Sequence, residues 1–164
     1  YWAMREGEWD EAEEVFQQVL DREPDCPSAR YNLAGVWQRR QRGDEFEKAV
    51  KEIRQIHADH PDYPFAALAL AISEADDGNI EVAKKLIGNV FQSPKLHISE
   101  AMMLLTTQVQ VALFDDDPDT AESALKMMCQ ITHEDDPRVM QLREKIDLYQ
   151  LPKMLGRKII DAGP

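Results

Sequence analysis

The stretch Tyr31-Asn32-Leu33-Ala34-Gly35-Val36-Trp37, followed by Gly43-Asp44-Glu45-Phe46-Glu47-Lys48-Ala49 and then by Ile53, Ile56 and Pro61, decides the fold. It runs in order through an apolar helical face, a glycine turn, a small residue, an apolar stripe and a proline stop. Glycine at a helix end takes the left-handed conformation that a tight reversal needs. Ala49, near the start of the second helix, lets two backbones approach, and Ile53, one turn on, fills the space beyond it. Pro61 ends the second helix, because an interior proline loses a hydrogen bond and clashes with the preceding turn. The segment reads as two antiparallel helices joined by a short turn.

The same order recurs on both sides. Upstream, Gly7-Glu8-Trp9-Asp10-Glu11-Ala12 leads to Phe16, Val19, Leu20 and Pro24. Downstream, Gly78-Asn79-Ile80-Glu81-Val82-Ala83 leads to Ile87, Val90 and Pro94, and Asp116-Asp117-Pro118-Asp119-Thr120-Ala121 leads to Leu125, Met128 and Pro137. Ala12, Ala49, Ala83 and Ala121 are spaced by 37, 34 and 38 residues, so the chain repeats a two-helix unit. The first helices carry Phe65, Leu68, Ala69 and Ile72 in one unit, and Leu104, Leu105, Val109, Val111 and Ala112, between Ile98 and Phe114, in another. They are richer in apolar residues than one buried stripe requires, as expected where a helix touches its partner and the next hairpin.

The expectation is an all-α stack of antiparallel helix hairpins in a single repeat domain, with units at about 1–26, 27–63, 64–97 and 98–137 and a capping helix and tail at 138–164. Arg138 to Tyr149 reads as the cap, a charged amphipathic helix offering Val139, Leu142, Ile146 and Leu148, with one more helical turn around Met154 to Ile160. Tyr1 to Arg5 reads as the end of a helix, so the chain is expected to be a piece of a longer protein.

Charge and composition narrow the functions. The formal charge is −12, from 31 acidic against 19 basic residues, whereas binding a phosphate backbone draws on clustered Lys and Arg, so nucleic acid is not expected. The same excess repels an anionic membrane leaflet and is compatible with basic or apolar peptides. No apolar run approaches the roughly 20 residues of a membrane span. The chain opens without a basic segment leading into an apolar one, so no signal peptide is visible. Cys26 and Cys129 stand far apart in different hairpins and form no disulfide framework, which favours a reducing compartment, the cytoplasm.

Chemistry has few candidates. His57-Ala58-Asp59-His60, with Asp62, has a spacing that could share one metal ion. Its place just before Pro61 favours a structural role instead, a cation meeting the helix dipole. His97 and His133 stand alone at helix boundaries. Asp115-Asp116-Asp117-Pro118-Asp119 has the charge of a calcium loop without its twelve-residue ligand order or central glycine, and reads as a solvated turn and a helix cap. Glycine-rich phosphate loop, nucleophile elbow and His-Glu-x-x-His are all missing from the sequence. The expectation is a non-enzymatic chain with no cofactor and no metal.

Taken together, the repeat resembles the tetratricopeptide-repeat family from about Tyr1 to Pro137, with a unit close to the family's roughly 34 residues. The signature is fullest in Tyr31, Leu33, Ala34, Trp37, Gly43, Ala49, Ile53, Ile56 and Pro61. Departures are the additional residue between Gly43 and Ala49, the third unit's missing first-helix aromatic, and the acidic turn in place of glycine in the fourth. The resemblance implies a right-handed superhelix, an α-solenoid whose concave groove, lined by first helices, holds a peptide or helix of a partner protein. Mapped onto this chain, the groove takes Tyr31, Asn32, Gln38 and Arg39, with Ser28 and Gly35; Phe65, Leu68 and Ile72, with Ala69 and Asp76; and Met103, Thr106, Gln110 and Phe114, with Thr107. Asn32 falls where family members use an asparagine to hold a ligand's backbone. The subclass that grips a C-terminal carboxylate needs further cations; only Asn32 and Arg39 are present, and Phe65 and Ala69 occupy the cation positions. Such a groove suits an apolar or amphipathic segment. The competing expectations are an oligomerisation or spacer arm, which self-associates through its apolar end hairpins, and a regulatory domain of a larger enzyme.

Overall fold

In the computed structural model, residues 8–161 are described, with side chains up to residue 150. They form eight helices: α1 (Trp9–Arg22), α2 (Pro27–Arg40), α3 (Glu45–Asp59), α4 (Pro64–Asp76), α5 (Ile80–Phe91), α6 (Ile98–Phe114), α7 (Pro118–Ile131) and α8 (Pro137–Asp161). Among the described residues there is no strand. The Gly7 turn, the helix end expected at Tyr1 to Arg5 and the side chains of Met154 to Ile160 lie outside the described residues. The chain divides into two compact units, Tyr1–Leu70 and Ala71–Pro164, with the division falling inside α4.

In the first unit α1 packs against α2, and α2 against α3. The short connections make each successive pair antiparallel. Ala12 and Ala49 are buried, as the close approach of the backbones requires, and Phe16, Ile53 and Ile56 are buried on the same faces. Full burial of a side chain such as Ile56 contributes about 1.5–3 kcal/mol. Pro24 and Pro61 fall just past the ends of α1 and α3, where the stops were expected. The reversal after α2 uses two left-handed residues, Gln41 at φ 50° and Gly43 at φ 58°. A second left-handed residue absorbs the extra length of this turn.

In the second unit α5 packs on α6, α6 on α7, and α8 on both α7 and α6. One cluster joins Ala71, Ala75, Ala83 and Val111. Another joins Met102, Leu105 and Val109 of α6, Ala121, Leu125 and Met128 of α7, and Val139, Leu142 and Ile146 of α8. The helix that caps the stack in the sequence reading thus contributes three residues to a shared core.

The ends of α4 and α6 show why an acidic turn can replace a glycine one. After α4, the N–H of Gly78 donates to Ala75 O at 3.0 Å and that of Asn79 to Glu74 O at 2.7 Å. After α6, the N–H of Asp116 donates to Leu113 O at 3.4 Å and that of Asp117 to Ala112 O at 2.9 Å. Both pairs are the Schellman pattern, with Gly78 (φ 84°) and Asp116 (φ 59°) at the left-handed position. Aspartate tolerates that conformation better than most side chains. Asp117 then caps α7, its carboxylate accepting from the Thr120 N–H at 3.0 Å.

Two expectations are corrected. Pro137 does not stop α7, which ends at Ile131; it is the first residue of α8, where its missing N–H costs nothing. Pro27, Pro64 and Pro118 likewise open α2, α4 and α7. Nor is there a separate turn after Tyr149, because α8 runs unbroken through Pro152 to Asp161. A single proline removes one hydrogen bond of the ladder and leaves the others to carry the helix on.

Candidate protein-binding face

The best-defined surface of the first unit is the side of α2 that does not face α1 and α3, and charged side chains hold that helix in place. The Arg40 side chain, 9% exposed, donates to Asp10 and Glu13 at 2.7 Å each, and its Nε donates to Glu45 at 3.0 Å. One guanidinium therefore ties α1, α2 and α3 together. It holds the Asp10 and Glu45 carboxyls below their ordinary range. Glu13 is lowered mainly by the Trp37 indole N–H, which donates to it at 3.1 Å, with Arg40 adding to the effect. The Lys48 ammonium sits 3.6 Å from the centroid of the Trp37 ring, a cation–π contact from α3.

At the other end of α2, Arg30 donates to Glu52 at 2.7 Å, to Asp59 at 2.8 Å and to Asp25 at 3.2 Å. His60, which closes α3, pairs through Nε2 with Asp25 at 3.0 Å. Asp59, between His57 and His60, and Asp25, opposite His60, are thus engaged in holding helices. Among the described residues no group of His, Cys, Asp and Glu side chains is arranged to bind a metal ion. His97 caps α6: its Nδ1 accepts from the Ser99 N–H at 3.4 Å, while its own N–H donates to Glu100 at 2.8 Å.

On the remaining side, Tyr31 of α2 meets Phe65 of α4 with ring centroids 5.8 Å apart. Tyr63, in the connection before α4, lies 6.0 Å from Tyr31 and 5.6 Å from Phe65. The separations are those of favourable tilted and edge-to-face pairs. Tyr63 also donates to Ser28 Oγ at 3.4 Å. Burial, and then the neighbouring Tyr63, push the Tyr31 phenol up to about 12, which keeps it protonated at any physiological pH. All three rings are half-buried, neither sealed in a core nor fully in water.

The other positions expected on this side divide. Asn32 and Gln38 are half-buried and Arg39 is exposed. The Asn32 amide donates to Ser28 O at 2.8 Å and Arg39 to Gly35 O at 3.1 Å, so both side chains lie along their own helix. Leu68 is a correction: it is 0% exposed and belongs to the core, because a central position of α4 is enclosed on every side. Tyr63 escaped the sequence reading because groove positions were counted along helices, and it stands in a connection. The Tyr-Pro-Phe run at 63–65 is the signal that marks it.

In the second unit Ile72, Met103, Thr106 and Gln110 are half-buried and Phe114 is 49% exposed. The Thr106 hydroxyl donates to Met102 O at 2.8 Å and lies 4.0 Å from Met128 Sδ, so it points toward α7. Thr107, also expected in the groove, is 0% exposed. Helical spacing puts Met103, Thr106, Gln110 and Phe114 on one face of α6, with the Thr106 hydroxyl turned from it toward α7.

Among the described residues, no helix is long and apolar enough to cross a membrane. Residues 3–70 match the family model described as a tetratricopeptide repeat. No curated protein and no solved structure matches the chain. The matched residues contain α1, α2, α3 and the start of α4, with the buried alanines, the glycine turn and the aromatic cluster. Tetratricopeptide repeats mediate protein–protein interaction and are typically not enzymes. Over residues 3–70 the chain is thus similar to a tetratricopeptide repeat.

Proposed function

We propose that the chain is a non-enzymatic scaffold, and that Tyr31, Tyr63 and Phe65, flanked by Asn32, Gln38 and Arg39, take an apolar or amphipathic segment of a partner protein. The observation that carries this reading is three half-buried aromatic rings, Tyr31 on α2, Tyr63 in the connection before α4 and Phe65 on α4, with centroids within 6.0 Å of one another. Clustered aromatic side chains supply most of the binding energy at protein interfaces, and such a patch can receive one anchoring side chain of a peptide. Arg39, exposed at its edge, favours a partner with an acidic residue beside its apolar anchor. In the second unit Met103, Gln110 and Phe114 are proposed as a further contact strip, and the repeat units as beginning at residues 27, 64 and 98. Two half-buried free cysteines, Cys26 and Cys129, fit a reducing compartment.

The test is affinity capture from the source cells with the chain and its Tyr31→Ala/Phe65→Ala variant, followed by titration of the recovered partner. Truncating two aromatic anchors is expected to weaken binding by about tenfold or more. Unchanged affinity in a variant of unchanged thermal midpoint would show that the partner binds elsewhere.

A further inference from the structure

Helices α5, α6 and α7 of the second unit enclose an open cleft of about 530 Å3. Its floor is apolar: Ile87, Gly88 and Phe91 from α5, Val111 and Ala112 from α6. Two features of that floor are unexplained by folding. Gly88 sits inside a helix, where glycine is weaker than alanine. Its φ is ordinary, and a Cβ there would meet no heavy atom within 4 Å, so neither backbone conformation nor packing calls for glycine. Next to it, Phe91 is 61% exposed. A bare stretch of helix backbone beside an exposed aromatic ring is what a closely packed second helix requires.

The rim says what charge that helix carries. Asp115 and Asp117 border the cleft, Asp116 stands in the same turn and Asp119 at the start of α7. Lys84, the basic residue on the rim, is bound to Asp115 at 2.7 Å. An apolar strip between basic residues complements such a site.

We propose that this cleft docks residues 151–161 of a second copy of the chain. The protein as a whole is strongly acidic, yet this segment holds Lys153, Arg157 and Lys158 against Asp161 alone, interleaved with Leu151, Met154, Leu155, Ile159 and Ile160. It is already helical backbone, so docking does not have to order a flexible chain. With 25 residues in α8 against 14 in α7, the helix runs on for about 16 Å past the length of its hairpin partner. The cleft of one copy receives the end of α8 from another, a contact that is isologous when two copies exchange it reciprocally as a dimer and heterologous when it propagates.

Sedimentation velocity on the full chain, from micromolar to millimolar concentration and at low and high salt, tests the proposal. Association that rises with concentration and weakens with salt is expected. Gly88→Leu fills the bare strip and Lys153→Glu/Arg157→Glu reverses the charge; each is expected to weaken association by about tenfold or more. Leucine is the better helix former, so Gly88→Leu should melt no lower than the parent, which separates blocked docking from misfolding. A chain that stays monomeric at millimolar concentration overturns the proposal. So does association that survives Gly88→Leu, even if charge reversal abolishes it. Tyr31→Ala/Phe65→Ala, in the other unit, should leave association intact; its loss there would assign self-association to the aromatic face and overturn the cleft.

Discussion

At the scale of single residues, neighbouring threonines on α6 show how burial decides a polar side chain's role. The Thr106 hydroxyl donates to Met102 O at 2.8 Å. One position on, Thr107 is 0% exposed, and among the described residues its Oγ1 has no hydrogen-bond partner. A buried hydroxyl without a partner costs about 1–3 kcal/mol. Thr107→Val keeps the shape and removes the unsatisfied group, so chemical denaturation should show a gain of about 1 kcal/mol; a loss of stability would mean that the hydroxyl has a partner. The sequence could not separate the pair. Both threonines fall near the mapped groove face of a helix whose apolar residues leave little polar contrast, and which of them is enclosed depends on what packs against that helix. Leu68 was misplaced for the same reason: on α4 almost every position is apolar, and periodicity has nothing to distinguish.

Among the elements, the helix ends are where sequence and structure agree most closely, because capping is local. Gly43 and Gly78 both adopt the left-handed conformation expected of them, and Asp117 caps α7 as the acidic run suggested. The turn that departs from the glycine pattern keeps the same hydrogen bonds, with Asp116 in glycine's place. A substitution pair measures these conformations. Gln41, at φ 50°, bears a strain that glycine does not, so Gln41→Gly should stabilise the fold by about 0.5–1 kcal/mol. Gly78→Ala, at φ 84°, should destabilise it by about 1–2 kcal/mol although the new Cβ would meet no atom within 4 Å. Thermal unfolding of both variants checks the pair, and equal effects of the same sign would contradict the reading. Proline placement was only half legible. A proline between two helices can end one or open the next, and Pro137 opens α8 because α7 has already ended at Ile131, with the N–H of Thr132 just beyond it closing on Met128 O at 2.9 Å.

For the whole molecule, the ion pairs around Arg40 set a pH dependence with a definite sign. Asp10, Glu13 and Glu45 all hold their protons less tightly in the folded chain than their ordinary values of 3.8, 4.5 and 4.5. On acidification the unfolded chain therefore takes up protons first, so their contribution is complete above about pH 5 and is lost as pH falls through the depressed folded values. Glu11, raised by its hydrogen bond with Glu8, works in the opposite direction. Arg40→Met should lower stability at neutral pH and make its decline between about pH 5 and pH 3 shallower, as measured by urea titrations across that range; a parallel decline in both proteins would remove Arg40 as the cause. The repeat itself was readable from residue order alone: helix, turn, alanine and stop are written in local periods of three to four residues and in glycine and proline, and those forces act between chain neighbours. What only the tertiary structure decided lies between elements far apart in sequence. It joined Tyr63 to Tyr31 and Phe65, drew three carboxylates to Arg40, enclosed Leu68 and Thr107, and left Gly88 and Phe91 open on a cleft. The physical reason is that burial and charge pairing depend on which surfaces meet, and a one-dimensional pattern shows which face of a helix is apolar without showing what covers it.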